Sequence, residues 1–134
     1  MPVPDGLAGL GIDLTDVGRI RQAIERHGER FVHRICTESE ARYCLSRPDP
    51  APHVAARFAA KEAVIKCLGG GCSFREIEVV RLDSGRPVIR LHGRALVRAA
   101  GRSVLVSLTH GQQMAGAVAA FGPLSAVEAA DPPV

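Results

Sequence analysis

The sequence predicts an α+β fold, a small antiparallel β-sheet packed with helices around one long central helix. Three observations predict it. The stretch Arg57–Leu68 is Ala-rich, lacks Gly and Pro, and runs into Gly69-Gly70-Gly71, which marks a helix over about 53–68. Apolar residues alternate with others in 7–14, 74–82, 103–109 and 114–121, which marks strands. Strands and helices do not take turns regularly along the chain, so α+β with an antiparallel sheet is the class. At 134 residues the chain makes one domain, long enough to bury roughly two-thirds of its unfolded surface. That domain is expected over 1–121, with 122–134, rich in Ala and Pro, as a flexible tail.

The elements follow in order. Residues 7–14 read as a strand with Leu10, Ile12 and Leu14 on one side and Gly9, Gly11 and Asp13 on the other. Two residues without side chains beside Asp13 suit a carboxylate approached by a ligand. Its plainer use is to cap the next helix, but Thr15 and Asp16 are available for that. A helix over about 16–28 carries Val17, Ile20 and Ile24 inward and ends at Gly28. Phe31, Val32 and Ile35 lead into Thr37-Glu38-Ser39-Glu40, a capping box that opens a short helix to about 46. Arg47-Pro48-Asp49-Pro50-Ala51-Pro52 reads as a loop before the central helix. Past the glycines, 74–82 and Val88–Leu91 form a hairpin turned by Asp83-Ser84-Gly85-Arg86-Pro87. A short basic helix over Gly93–Ala100 closes at Gly101, and the strands at 103–109 and 114–121 complete the sheet.

Composition excludes several function classes. Aromatics are scarce, with no Trp, one Tyr and four Phe, which argues against a base-stacking surface. Net charge is only +3, but fifteen of the seventeen cations are Arg, the side chain suited to bidentate contacts with phosphate and carboxylate. No apolar run is long enough to cross a membrane, and Met1–Gly6 has neither a basic nor an apolar leader segment, so the expected location is the cytoplasm. Cys36, Cys44, Cys67 and Cys72 lack paired spacing and are expected as reduced thiols. Neither nucleic acid nor membrane is expected as a partner.

Chemistry concentrates on four side chains. On the central helix, Val54, Phe58, Ile65 and Leu68 share an apolar face, and Glu62 falls inside that arc with Lys66 four residues on. A carboxylate there needs a cation or donors to meet it. Spacing leaves two readings open: a Glu62–Lys66 helical ion pair, or a metal ligand with a phosphate-binding lysine beside it. Asp13 would supply the second carboxylate, and two hard oxygen donors favour Mg²⁺ over zinc. His110 ends a strand, either as a surface residue or where it contacts a phosphate. Arg19 and Arg26, seven apart, share one helix face, which is either solvated or a dock for an acidic partner. The chain has no G-x-x-x-x-G-K-S/T and no G-x-G-x-x-G.

The segments Gly11-Ile12-Asp13-Leu14, Arg57-Phe58-Ala59-Ala60-Lys61-Glu62-Ala63 with Lys66 and Gly69, and Ser107-Leu108-Thr109-His110 resemble the three signature blocks of holo-acyl-carrier-protein synthases. These are the small, single-domain 4′-phosphopantetheinyl transferases. Ile77-Glu78-Val79 and Gly85-Arg86-Pro87 add to the likeness, which runs in the right order over about 9–121. The resemblance implies a phosphopantetheinyl-transferase-like fold and transfer of the phosphopantetheine arm of coenzyme A to a serine of apo acyl carrier protein, releasing adenosine 3′,5′-bisphosphate. It implies Asp13 and Glu62 as magnesium ligands and Lys66 as a phosphate contact, with Glu62 the candidate for removing the serine proton. Coenzyme A would further meet His110, Arg57, Phe58, Gly69 and Thr109. Arg19, with Arg26 assisting, would hold the acidic helix of the carrier, which could belong to fatty-acid or polyketide synthesis. A homotrimer with active sites between subunits is implied as well. Two other classes stand beside this reading: a catalytically inactive module that binds coenzyme A or the carrier, and a basic trimer that binds nucleic acid. The connection from Gly69 to Ile77 is shorter than is usual in the family, and Cys67 stands where Ala is common.

Overall fold

Helix α4 (Pro50–Leu68) is the axis on which most of the other elements pack in the computed structural model, which describes residues 8–122. Strand β1 (Gly9–Asp16) and strand β5 (Met114–Phe121) lie against one side of it. Helices α1 (Val17–His27), α2 (Glu29–Ile35) and α3 (Glu38–Leu45) lie against other sides. Val54, Ala55, Ala59, Ala60, Ala63 and Val64 are all fully buried. Small side chains let neighbours approach α4 from nearly every direction, so the helix has no single core stripe. The expected apolar face is therefore corrected. Phe58, Glu62 and Ile65 are only half-buried and Lys66 is exposed, so Glu62 sits on the one side left partly open rather than facing the core.

Two further expectations change. Helix α4 begins at Pro50, inside the segment read as a loop, with Pro50 and Pro52 in its first turn, where their missing N–H groups would have no partner anyway. Its N-cap Asp49 spends its carboxylate on Arg21 of α1 at 2.6 Å. Helix α2 stands where only a lead-in to the capping box is expected. Gly28, at φ 67, ends α1 and opens α2 within one residue, a turn that suits glycine. The capping box of Thr37 and Glu40 forms as expected.

Strand β4 (Val104–His110) joins β1 and β5 in an antiparallel sheet of order β1-β5-β4. Strands β2 (Ile77–Arg81) and β3 (Pro87–Leu91) form a separate antiparallel pair, entered by a 3₁₀ turn at Phe74–Glu76 and followed by α5 (Gly93–Ala99). Register places Ile12 beside Val118 and Val118 beside Ser107 on one face, and Asp13, Ala117 and Leu108 in the next row on the other. The α+β class and the antiparallel pairing are as expected. Of the expected tail, all but Gly122 lies outside the described residues.

Candidate active site

The glycines of β1 admit a helix, not a ligand. A Cβ on Gly11 would overlap the Ala63 carbonyl oxygen, and one on Gly9 would meet that of Cys67. Strand β1 thus runs antiparallel to α4, two strand residues (about 6.7 Å) matching about one helical turn. Asp13, two residues beyond Gly11, therefore comes beside the turn that ends at Glu62.

Asp13 is held from two sides. Its Oδ2 accepts the Thr15 hydroxyl at 2.8 Å, and its Oδ1 stands 3.4 Å from Lys66 Nζ. Lys66 leans back along α4 and donates to the Ile12 carbonyl at 3.0 Å. The helical Glu62–Lys66 pair does not form, because Lys66 crosses to β1 instead. Glu62, one turn earlier, has no hydrogen bond or ion pair among the described residues. Nor, among those residues, is any group of three or more His, Cys, Asp or Glu placed to hold a metal. What Asp13 and Glu62 offer is a pair of hard carboxylates beside a cation. That donor set fits Mg²⁺, which binds through one or two carboxylates and fills its other positions with water and phosphate oxygens.

A second cluster sits nearer the start of α4. His53, Arg57, Arg81, Thr109 and His110 help to line a cavity of about 360 Å³. Arg57 is mostly buried; Nη1 donates to the His53 carbonyl at 3.2 Å, and its guanidinium lies over the Tyr43 ring at 4.9 Å. Its Nε is 4.0 Å from Glu40 Oε2 and has no hydrogen-bond partner among the described residues. Under it lies an ion pair that the sequence reading missed. Lys61, fully buried, donates to Glu40 Oε1 at 2.6 Å and to the Ile35 carbonyl at 2.7 Å. Glu40 also accepts the Thr37 and Val79 N–H groups. The capping box accounts for Glu40 fully in the sequence, and nothing there signals its second task.

Phe58, one turn before Glu62 on the half-open side of α4, packs on Phe74 with ring centroids 5.3 Å apart. Gly69 caps α4 at φ 83, and Arg98 ties down this end through the Leu68 and Gly69 carbonyls. Arg19 and Arg26 are exposed on α1, as a docking face requires. Arg26 joins His27, Arg30, Phe31 and Arg34 around a cavity of about 260 Å³. Arg30, expected near the face of Arg19 and Arg26, is thus brought beside Arg26, and α2 adds Arg34 to the same cluster. The four cysteines are free thiols, and no described helix is long and apolar enough to cross a membrane.

The model of the 4′-phosphopantetheinyl transferase superfamily matches residues 9–119. The holo-acyl-carrier-protein synthase of Maridesulfovibrio salexigens is 44% identical over 119 residues, covering 84% of this chain and 95% of that protein. That of Moorella thermoacetica is 46% identical over 115 residues, covering 81% and 89%. Among solved structures, the holo-acyl-carrier-protein synthase of Bacillus anthracis in complex with CoA (3′,5′-ADP) superposes with a TM-score of 0.76 at 30% identity, over 87% of this chain and 97% of that one. The acyl carrier protein synthase of Mycobacterium tuberculosis does so with 0.72 at 36% identity, over 88% and 100%. On this sequence match and shared fold, the chain belongs to the 4′-phosphopantetheinyl transferase superfamily and is an enzyme of its holo-acyl-carrier-protein synthase class.

Proposed function

We propose that this enzyme moves the 4′-phosphopantetheine arm of coenzyme A onto a serine of apo acyl carrier protein, with Mg²⁺, and releases adenosine 3′,5′-bisphosphate. The observation that carries the reading is the contact of Asp13 with Lys66, one helical turn from Glu62, whose carboxylate has no partner among the described residues. Mg²⁺ held by Asp13 and Glu62 would orient the diphosphate of coenzyme A and neutralise charge on the phosphoryl group in transfer. Lys66 places a fixed cation where charge builds on the leaving phosphate. Glu62 accepts the proton of the incoming serine hydroxyl. The nucleophile comes with the partner, so the chain needs none of its own. Arg57 and His110, with Thr109 at the rim, hold the nucleotide end of coenzyme A through its phosphates.

The carrier docks on the arginines of α1 and α2. Arg19 and Arg26 meet acidic side chains, and Phe31 among Arg26, Arg30 and Arg34 gives an apolar floor with a cationic rim. The enzyme works as a homotrimer in the cytoplasm, on a carrier of fatty-acid or polyketide synthesis. The test is intact-mass spectrometry of apo acyl carrier protein incubated with the enzyme, coenzyme A and Mg²⁺. The expected result is a gain of one phosphopantetheine, lost on adding EDTA. No gain with several carriers, despite measurable coenzyme A binding, would leave an inactive binding module in its place.

A further inference from the structure

One imidazole in the anion pocket has no part in the proposed reaction. His53 lies in the first turns of α4 and helps to line the cavity. Its ring centroid is 5.9 Å from that of His110 at the end of β4, and 5.7 Å from that of Tyr43 on α3. Around it stand Arg47 from the connection after α3, Arg57 on its own helix, Arg81 at the end of β2 and His110 on β4. Each of these pushes the same way. Burial first, then Arg47, His110, Arg57 and Arg81, hold the His53 pKa below its ordinary 6.5, so in the free protein it is neutral at pH 7.

A neutral imidazole among cations, lining a cavity, is poised to gain a proton when an anion enters. The two rings are close enough for one tetrahedral anion, accepting hydrogen bonds of about 2.8 Å, to touch both. We propose that His53 is a further phosphate-binding residue, which takes up a proton as it joins His110 and Arg57 on a phosphate monoester of the bound nucleotide. The proposal rests on the reading that this cavity receives the nucleotide end of coenzyme A. The sign follows from linkage. The complex binds more protons than the free protein, so affinity rises as pH falls, by at most about tenfold per pH unit for one proton.

The measurement is calorimetric titration of the intact protein with adenosine 3′,5′-bisphosphate at pH 7.5, in two buffers of different ionisation enthalpy. Repeats at pH 6.5 and 8.5 give the pH dependence. Proton uptake on binding is expected, together with tighter binding at pH 6.5 than at 8.5. His53→Gln should lose most of the uptake and bind several-fold more weakly at pH 6.5, with little change at pH 8.5. His53→Lys, charged throughout, should keep the affinity and lose the pH dependence. A parallel titration with 5′-AMP separates the sources. Uptake confined to the bisphosphate assigns the contact to its 3′-phosphate and equal uptake assigns it to the 5′-phosphate; either supports a phosphate at His53. Binding without proton uptake, or uptake undiminished in both variants, overturns the proposal while leaving the transferase reading intact. If neither the bisphosphate nor coenzyme A binds, both fall together.

Discussion

Lys61 and Glu62 are adjacent on α4, carry opposite charges and have opposite fates. Lys61 is sealed in the core against Glu40, whereas Glu62 sits half-buried with no partner among the described residues. Glu62→Gln is therefore expected to change stability by less than about 0.5 kcal/mol and to abolish magnesium-dependent transfer. Intact-mass turnover and thermal unfolding on the same sample check both halves. Near-normal turnover would show that Glu62 neither holds the metal nor takes the proton. Lys61→Met should do the reverse to stability, costing on the order of 3 kcal/mol, because Glu40 stays buried without its cation. Urea unfolding measures that loss, and an unchanged midpoint would mean Arg57, 4.0 Å away, suffices for Glu40. Sequence reasoning reached Glu62 by a premise that the structure reverses: it lies on the open side of the helix, not on a core stripe. It could not reach Lys61–Glu40, since those residues are twenty-one apart and nothing local pairs them. Nor could it single out His53, which acquires its cationic surroundings only when four separate segments meet.

At the scale of elements, the fit between β1 and α4 sets the site. The strand carries glycine where the helix backbone touches it and Asp13 where the contact opens, so one approach places both the packing and the carboxylate. Gly11→Ala forces a methyl group into the Ala63 carbonyl, a rigid backbone obstacle. The expected cost is roughly 3 kcal/mol, with a further loss of transfer as Asp13 shifts from α4. Gly111→Ala, whose new methyl would meet nothing within 4 Å, is the control and should be near neutral. Chemical denaturation of the two variants side by side tests this; equal midpoints would mean that β1 lifts from α4 at little cost. The elements that announce themselves by local pattern were legible in the sequence: the Ala-rich helix, the alternating strands, the Thr37 capping box. Those that rest on packing were not. Helix α2 is only seven residues long, too short for a 3.6-residue period to stand out, and it is held by burial of Val32 and Ile35. The start of α4 was obscured by prolines that a first turn accepts.

For the whole molecule, the sheet has two faces of unlike fate. The face with Gly11 and Asp13 packs on α4, while the other carries Leu10, Ile12 and Leu14 at 63%, 62% and 71% exposure. Register continues that apolar face across β5 and β4, with Ile12 beside Val118 and Leu10 in a row with Ala120 and Leu105. Met114, Val118 and Leu105 are also exposed. A contiguous apolar patch on a small chain marks a surface that another chain covers, which is where the homotrimer of the proposed function would form. The patch and the site share one strand: Ile12 turns its side chain outward while its carbonyl oxygen takes the Lys66 ammonium. Covering the patch would then steady the backbone from which Asp13 and Lys66 are held, so assembly and turnover are expected to fail together. Ile12→Asp puts a charge at the middle of the patch without touching the core, so the subunit should fold with its helical content intact. Light scattering after gel filtration should find trimers for the parent and monomers for the variant, and transfer should fall at least tenfold, a barrier rise of about 1.4 kcal/mol. Diluting the parent below its assembly range should lower its specific activity in the same way. A variant that stays trimeric would take the interface away from this face. A monomer with full activity would keep the interface here and make each subunit's site complete without its neighbours.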